Sequence, residues 1–471
     1  MKRTILNRNP KRTGTKRNTI IRRTQFAALG LAALTLLATA GCGSSAGASD
    51  GKTIKVAYQK FGNYKPLEKL LNAAKSEVEK ANPGTTVTLL PIEASENDYY
   101  TKLSLMNKSA STAPDIAYED TFLIKSDAAA GYLLPLDDYV SKWADWKQFV
   151  PNAQDAGKGD DGKTYGVSMG TDTRALWYSK DLFKKAGLPV PWQPKTWDDI
   201  LAAADTIKAK LPGVIPMNLY SGKAAGEGAS MQGFEMLLYG TNDPLYDESS
   251  KKWVTGSQGF KDSLNFVKKI YSDGLAPTPQ QALDAQIVNI ATDTWLPKGK
   301  LAIDLDGSWL PSKWSEGGSS PWPTWQDTMA TAKMPTQDGS DPGAVSLSGG
   351  WTLAVGSKTK SPDLAVKYLE TALNQKNSLT YDIEGAQIAV RKDVMDAPEY
   401  KKSSSSFGIL SDVVAVTKFR PANTDYPKVS NNIQVAMEGV MTGQKSVDEA
   451  AKAYDEAVTS AVGQDKTTGG Q

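Results

Sequence analysis

The sequence predicts an α/β protein with two lobes, in each of which a mainly parallel sheet is flanked by helices. Segments with the two-residue period of strands alternate along the chain with segments that repeat every three to four residues, as helices do. The same alternation occurs in both halves of the chain. Its 471 residues also exceed what one hydrophobic core usually supports. We therefore expect two cores, one in each lobe.

The pattern of the first half begins at Ile54. Strands are predicted at 54–58, 86–90 and 116–118, and helices at 66–80, 99–109 and 122–130. Gly131, directly after the third helix, is typical of a helix C-terminus. Strands that are separated by helices predict parallel pairing, because parallel strands need a crossover connection.

The second half continues in the same way. Strands are predicted at 176–178, 300–304 and 352–355, and helices at 180–186, 197–210, 260–272, 362–373 and 447–462. Thr196 is placed to cap the helix that begins at Trp197, and Asp198 and Asp199 favour its first turn. We find no tandem repeat.

Residues 1–41 have the pattern of a secretory signal peptide. The first 25 residues contain nine basic side chains and no acidic one, and residues 26–40 are apolar or small. This apolar run is shorter than the roughly 20 residues that a permanent transmembrane helix needs. Arg22 and Arg23 leave the twin-arginine export route open beside the general one. An extracytoplasmic location follows in either case.

Cys42 is the only cysteine, so the chain has no internal disulfide. It follows Thr39-Ala40-Gly41 and resembles the cysteine of a bacterial lipobox, although Thr39 departs from the usual aliphatic residue. That resemblance implies an acylated thiol and an anchor on the outer face of the cytoplasmic membrane. Residues 43–51 are rich in Gly, Ser and Ala, which predicts a flexible tether.

Composition excludes several classes of protein. Without the nine basic residues of the signal, 45 basic residues stand against 52 acidic ones, a net charge of −7. A chain of this charge lacks the basic face that nucleic acids require. The chain also contains no histidine, which excludes Ser-His-Asp and Cys-His catalysis and histidine ligands for metals. We therefore expect no metal and no cofactor.

A set of short segments follows a characteristic order and spacing along the chain. The segments are 113–116, 130–136, 162–167, 176–183, 194–199, 299–303, 306–309, 349–351, 365–369 and 439–450. Together they resemble the sugar-binding branch of the bacterial extracellular solute-binding proteins, the group that includes maltose-binding protein. The resemblance covers residues 54–460. It implies a periplasmic-binding-protein-like fold of two lobes joined by hinge strands, with the ligand in the cleft between them.

The resemblance also implies a division of the chain. Crossings between the lobes are expected near 171–175, 329–338 and 390–396. The expected parts are a signal peptide (1–41), a lipidated tether (42–52), an N-terminal lobe (53–171 plus 333–392), a C-terminal lobe (172–332 plus 393–463) and a disordered tail (464–471). The implied function is to capture a carbohydrate, an oligosaccharide by preference, as a monomer. Lobe closure then delivers the carbohydrate to the membrane permease subunits of an ABC importer, without catalysis.

Ligands of open α/β sheets bind outside the carboxyl ends of the strands, which selects the candidate site residues. Aromatic faces cover the C–H faces of a sugar, while carboxylate and guanidinium groups bond its hydroxyls strongly. By resemblance, Asp172 matches a sugar-binding carboxylate and Trp309 a stacking tryptophan of maltose-binding protein. The complete candidate set is Tyr58, Gln59, Glu119, Asp120, Asp172, Arg174, Asp306, Trp309 and Trp351.

Each candidate also has a structural interpretation. The aromatic side chains would serve equally as core residues, and Glu119 or Asp120 would serve as a helix cap. Asp172 would serve in a hinge ion pair with Arg174, and Arg174 leaves open whether the sugar is neutral or acidic.

Two other functions stay open, and one is excluded. A glycoside hydrolase needs only two carboxylates across a cleft, and a surface carbohydrate receptor needs no transporter. The sequence Gly166-Val167-Ser168-Met169-Gly170 fits an esterase motif, but the histidine base is absent.

Overall fold

The computed structural model describes residues 52–62, 64–404 and 409–468. The predicted signal peptide and Cys42 lie outside these residues. Within the described ranges no helix combines the length and the apolar character needed to cross a bilayer.

Thirteen strands are formed by the described residues. They are β1 (Thr53–Lys60), β2 (Thr86–Glu93), β3 (Ile116–Asp120), β4 (Gly166–Ser168), β5 (Arg174–Ser179), β6 (Ile215–Asn218), β7 (Tyr246–Asp247), β8 (Lys252–Trp253), β9 (Leu301–Gly307), β10 (Met329–Ala332), β11 (Ser346–Ser348), β12 (Trp351–Val355) and β13 (Thr417–Phe419).

The α-helices surround these strands. They are α1 (Pro66–Ala81), α2 (Glu96–Asn107), α3 (Ile124–Ala129), α4 (Asp137–Val140), α5 (Pro151–Asp155), α6 (Lys180–Ala186), α7 (Trp197–Lys210), α8 (Met236–Leu238), α9 (Gln258–Ser272), α10 (Pro279–Ala282), α11 (Ile287–Ile290), α12 (Leu310–Trp314), α13 (Trp325–Thr328), α14 (Pro362–Ala372), α15 (Gln375–Gly385), α16 (Lys392–Met395), α17 (Pro398–Ser404), α18 (Ile409–Asp412), α19 (Tyr426–Met441) and α20 (Val447–Val462). A π-helical segment, Gly228–Glu235, precedes α8.

The N-terminal lobe is built on a five-stranded sheet in the order β2-β1-β3-β12-β4. β1 pairs in parallel with β2 and β3, whereas β12 runs antiparallel to β3 and β4. The apolar stripe of α1 packs on this sheet together with α14, and the Tyr368 hydroxyl donates to the Leu71 carbonyl at 2.7 Å. The α/β alternation predicted from the sequence therefore produces one of the two expected cores.

The C-terminal lobe is built on a four-stranded sheet in the order β10-β5-β9-β6. Only β6 and β9 are parallel, since β5 runs against both β9 and β10. The sheet is therefore mixed, not mainly parallel as predicted. The cause is the route of the chain, because β5 enters this lobe directly from the other one and no crossover helix turns it parallel to β9.

The lobes are joined where the chain crosses between the two sheets. The first crossing lies between β4 and β5, and the second lies at Gly349-Gly350 between β11 and β12. Residues 333–348 therefore belong to the C-terminal lobe, with Val345 and Leu347 buried in its core, and the N-terminal assignment from sequence is corrected. Gly350 has φ +148°, and a Cβ there would lie 2.6 Å from the Gly170 carbonyl oxygen.

The third crossing also lies later than predicted. α16 and α17 pack beside α15, where Val394 and Tyr400 share a small core with Ile383, so residues 393–403 belong to the N-terminal lobe. Leu410 of α18 packs in the C-terminal lobe, and its carbonyl accepts from Thr173 Oγ1 at 2.7 Å. Position along the chain misplaced this boundary, because two short helices extend the first lobe.

The predicted disordered tail is ordered as far as the structure describes it. A 3₁₀ turn spans Gln464–Lys466, and the Thr468 amide donates to the Trp253 carbonyl at 2.9 Å. Lys466 Nζ lies 2.9 Å from Asp425 Oδ2. These contacts fix the end of α20 against the C-terminal lobe.

Candidate functional site

The candidate site lies at the hinge, where the ends of strands from both lobes meet. β12 begins where β3 ends, so Trp351 stands opposite Asp120 in the ladder. Gly349 and Gly350 lead directly into Trp351, and β5 begins in the other lobe with Arg174. The carboxyl end of β3 and the hinge crossings therefore place side chains from both lobes side by side.

Asp172 and Arg174 form a buried ion pair at the first crossing. Asp172 Oδ1 accepts from Arg174 Nη1 and from the Gly349 amide, the latter at 2.8 Å. Arg174 Nη1 also donates to the Leu347 carbonyl at 3.1 Å. The pair thus fastens the first crossing to the second.

Trp309 covers this pair from the C-terminal lobe. Its ring centroid lies 4.9 Å from the Arg174 guanidinium carbon, a cation–π arrangement. The ring also lies over Gly307, where an added Cβ would come within 2.0 Å of it. Glycine at that position is what lets Trp309 fold across the end of β9. The ring is only half-buried, so part of it faces solvent.

Trp351 is the centre of an aromatic cluster in the N-terminal lobe. It stacks on Tyr118 with a centroid distance of 4.1 Å and an interplanar angle of 6°. Phe61 and Tyr100 approach it at 5.8 and 6.0 Å. Trp351 remains half-buried, so the cluster offers aromatic surface at the edge of the sheet.

Arg420 joins the two lobes by an arrangement that we call the Arg420 bridge. Its Nη2 donates to Asp120 Oδ1 of the N-terminal lobe at 2.7 Å, and its Nη1 donates to Glu227 Oε2 of the C-terminal lobe at 3.2 Å. The guanidinium lies 4.3 Å from the Phe122 ring centroid. A Cβ at Gly349 would lie 3.2 Å from Arg420 Nη2 and 3.7 Å from Asp172 Oδ1, so the bridge and the hinge ion pair adjoin.

Carboxyl groups outnumber cations around the Arg420 bridge. Burial raises the pKa of Glu96 to about 8, and the charge of Asp120 adds to this, while Arg420 opposes it. Burial likewise raises the pKa of Glu235 to about 8. The Tyr426 hydroxyl lies 2.6 Å from Glu235 Oε1 and 3.0 Å from Glu227 Oε2. At neutral pH the fully buried Glu235 is therefore mainly protonated.

The structure brings together five of the nine candidates from sequence. Arg420 bonds Asp120 and lies close to Gly349, which in turn lies close to Asp172. Arg174 bonds Asp172 and lies against the Trp309 ring. Trp351 is the ladder partner of Asp120. The group is Asp120, Asp172, Arg174, Trp309 and Trp351.

The other four candidates lie inside the lobes. Tyr58 belongs to the core of the N-terminal lobe, and Gln59 Nε2 donates to the Ala94 carbonyl at 3.1 Å. Glu119 is fully buried, and burial together with the nearby carboxyl of Asp127 raises its pKa. Asp306 accepts from the Tyr220 hydroxyl at 2.8 Å within the C-terminal lobe.

Three residues of the candidate site are not among the nine predicted from the sequence, namely Arg420, Glu227 and Glu96. Glu96 follows the carboxyl end of β2, so the strand-end rule that selected Asp120 would have found it. Arg420 is one of only three arginines after the signal region, the others being Arg174 and Arg391. This scarcity of arginine is the one feature of the sequence that points to Arg420. The partners of Arg420 are visible only in the structure.

A cavity of about 410 Å³ lies between the lobes. We call it the interlobe cavity. Its N-terminal wall is formed by the start of α1 and the end of α15, and its C-terminal wall by α12 and the start of α13. None of the nine candidates lines it, but α12 begins directly after Trp309.

Together the fold and the geometry define a two-lobed protein whose candidate ligand site lies at the hinge. The chain belongs to the bacterial extracellular solute-binding protein family, whose sequence model matches residues 60–378.

Individual relatives agree with this assignment. An ABC transporter extracellular-binding protein of Pyrococcus horikoshii is 28% identical over 236 residues, which is 49% of this chain and 51% of the relative. The chain thus matches about half the length of that relative. The galactooligosaccharide-binding protein of Bacillus subtilis is 22% identical over 77% of this chain and 79% of its own length.

A solved structure has the same fold. The ABC transporter solute-binding protein of Thermotoga lettingae, bound with α-D-tagatose, superposes with a TM-score of 0.75 at 23% identity. The match covers 88% of this chain and all of that one.

Proposed function

We propose that this protein captures a carbohydrate between its lobes and delivers it to the permease subunits of an ABC importer. The observation that carries the proposal is the hinge site, where Trp309 and Trp351 stand beside the buried groups Asp120, Asp172 and Arg174. The galactooligosaccharide-binding relative and the tagatose-bound structure support the same class of ligand.

The site chemistry suits a sugar because its two kinds of surface match those of a sugar ring. The half-buried tryptophan rings would cover C–H faces, which removes apolar surface from water. The carboxylates and guanidinium groups would bond hydroxyls, and hydrogen bonds to charged groups are roughly twice as strong as neutral ones. The ion pairs hold these polar groups in place before the ligand arrives, which reduces the entropy cost of binding.

Delivery would depend on lobe closure. A ligand that touches both lobes favours the closed arrangement by its difference in affinity for the two states, and by no more than that. The Arg420 bridge joins Asp120 and Glu227 of opposite lobes without any ligand, so it also affects this equilibrium. The permease would recognise the closed pair of lobes, and the sugar would leave chemically unchanged.

A thermal-shift screen of the purified chain against neutral and acidic mono- and oligosaccharides tests the proposal. A sugar at 100 times its Kd should raise the free energy of unfolding by about 2.7 kcal/mol. Chromatography of the recovered sugar should show no product. A panel without any shift, or hydrolysis beyond one turnover per protein, would contradict the proposal.

We further propose that Cys42 carries a lipid that holds the monomeric protein on the outer face of the cytoplasmic membrane. The basic region, the apolar run and the lone cysteine support this. Cys42→Ala should move the protein from the membrane fraction to the soluble fraction or block its processing. A variant that stays membrane-bound and is normally processed would refute the anchor.

A further inference from the structure

A row of contacts between the lobes extends from the second crossing to the protein surface. It begins with the Arg420 bridge, which adjoins Gly349 at the crossing. Glu227 of the bridge follows Gly226, where an added Cβ would lie 3.2 Å from Asn97 Nδ2 at the start of α2. Asn97 is exposed, so the row ends at the surface. Rotation about the hinge separates points that lie away from it, so opening of the lobes would break at least the outer part of this row.

An aromatic side chain of the N-terminal lobe is inserted into the core of the other lobe. Phe122 lies in the loop between β3 and α3, but it is buried in the C-terminal core, where its ring centroid lies 5.3 Å from that of Tyr426. Leu123 belongs to the same core, and the Tyr100 ring of α2 packs on Phe122 at 5.4 Å. Separation of the lobes here would return apolar surface to water, which is unfavourable.

The carboxylates of the Arg420 bridge are satisfied by groups of the protein. Asp120 Oδ2 accepts from the Tyr100 hydroxyl at 2.8 Å, and Asp120 Oδ1 accepts from Arg420. Glu227 Oε1 accepts from Ser430 Oγ, and Glu227 Oε2 accepts from Arg420. Each of the four carboxylate oxygens therefore has a donor that no ligand supplies. Separation of the lobes would remove the charge-assisted bond between Asp120 and Arg420.

We propose that these contacts form a latch that holds the two lobes closed before a ligand binds. The latch comprises Asn97, Asp120, Phe122, Gly226, Glu227 and Arg420. The inference goes beyond the proposed function, in which the ligand favours closure. A closed state that is already populated increases affinity, because the apparent Kd is the intrinsic Kd divided by the fraction of binding-competent molecules.

A distance measured between the lobes tests the latch. Spin labels would be attached at Thr101→Cys in α2 and at Lys223→Cys, three residues before Gly226, because both positions are exposed. The full chain with Cys42→Ala contains no other cysteine. Double electron–electron resonance should give the same mean distance with and without the sugar found in the screen. A distance that is longer without sugar by more than about 2 Å, the scale of a domain rearrangement, would overturn the latch.

Two variants weaken the latch in different ways, and their comparison needs no sugar. Asp120→Asn removes the charge that crosses between the lobes and leaves Arg420 paired with Glu227. Phe122→Ala removes the inserted ring. Without sugar, each variant should have a mean distance that is longer than that of the parent by more than about 2 Å. Asp120→Asn decides alone if Phe122→Ala does not fold, and an unchanged distance in Asp120→Asn would overturn the latch. Failure of every sugar to bind would contradict the proposed function but would not affect this comparison.

Asp393→Asn is the matched control for Asp120→Asn. Arg391 also holds two carboxylates, those of Asp145 and Asp393, but both belong to the N-terminal lobe. Loss of one of them therefore leaves the arginine paired and breaks no contact between the lobes. The distance in Asp393→Asn should equal that of the parent. An equal lengthening in Asp393→Asn and Asp120→Asn would show a general loosening of the protein and would overturn the latch.

Discussion

Arginine side chains organise the site at the scale of single residues. Arg174 fastens Asp172 beneath Trp309, and Arg420 holds Asp120 and Glu227 from opposite lobes. A guanidinium group suits this task because its planar set of donors fixes more than one acceptor at a time. Each of these two arginines therefore has a carboxylate partner within the protein.

Trp309 should contribute to binding more than to stability. The ring is half-buried and lies on Arg174, so its removal exposes little core. Trp309→Ala should weaken sugar binding by about 1–4 kcal/mol in a calorimetric titration, in the range of buried aromatic contacts at interfaces. Trp309→Phe keeps a stacking face and should lose less. A Trp309→Ala variant that binds normally but melts much earlier would show that this tryptophan belongs to the core.

Arg420 should contribute strongly to stability. Arg420→Met leaves Asp120 and Glu227 buried without their partner, and the removal of one member of a buried pair costs about 3–5 kcal/mol. Denaturant unfolding measures this loss. Lys452→Met is the control, because Lys452 pairs with Glu456 on the exposed face of α20 and exposed pairs contribute about 0–1 kcal/mol. Equal unfolding midpoints for the two variants would contradict the bridge.

Glu235 should make stability fall as the pH rises. Burial raises its pKa from 4.5 to about 8, so the folded protein holds a proton that the unfolded chain has lost between these two values. The free energy of unfolding should fall across this range by up to about 1.4 kcal/mol per pH unit for this group, and the loss should be complete above about pH 8.

Replacement of the carboxyl group isolates this effect. Glu235→Gln should flatten the pH dependence of unfolding between pH 5 and 8, because the amide does not titrate. Glu248→Gln alters an exposed carboxyl and should leave the slope as it is. The same slope in Glu235→Gln and in the parent would show that Glu235 titrates normally in the folded protein.

About half of the residues predicted from the sequence lie together at the candidate site, and particular residues show why. Asp120, Asp172 and Trp309 follow strand ends or match a family pattern, and both are local signals. Tyr58 and Glu119 are also near strand ends, but the alternation of side chains along a strand turns them into the lobe. Arg420 gains its partners from residues 300 and 193 positions away, which no local pattern reveals.

At the scale of elements, helices with strong local signals have the bounds that the sequence predicts. α6, α7 and α20 begin and end as predicted, since each has a capping residue at its start. Strand direction in the C-terminal lobe was wrong because it depends on pairing between distant segments. β5 pairs with β9 across about 130 residues, and the choice between parallel and antiparallel pairing is set by the hinge.

The cap of α7 illustrates the strength of a local signal. Thr196 Oγ1 accepts from the Asp199 amide at 3.3 Å, and Asp199 Oδ2 accepts from the Thr196 amide at 3.1 Å, which completes a capping box. Thr196→Ala should lower the free energy of unfolding by about 1 kcal/mol. Thr206→Ala is the control, since Thr206 lies within the same helix and bonds only to the Ala202 carbonyl. Equal stabilities of the two variants would mean that the box contributes nothing.

At the scale of the whole molecule, two lobes and a hinge follow from the sequence, but their boundaries do not. Composition and periodicity predict two α/β cores, which the structure contains. The sequence placed the crossings at Gly349-Gly350 and beyond α17 too early in the chain. The loops and short helices after β10 and α15 have no sequence pattern that shows to which lobe they belong. The candidate site lies at these same crossings.

Hydrogen–deuterium exchange with and without the sugar found in the screen tests most directly whether the ligand lies between the lobes. Peptides that cover 118–122 and 349–353 report on the N-terminal lobe, and peptides that cover 172–176 and 307–312 report on the C-terminal lobe. Saturating sugar should slow exchange in all four regions at once, while peptides of α20 should be unchanged. Protection confined to one lobe, or located away from the hinge, would contradict binding in the cleft.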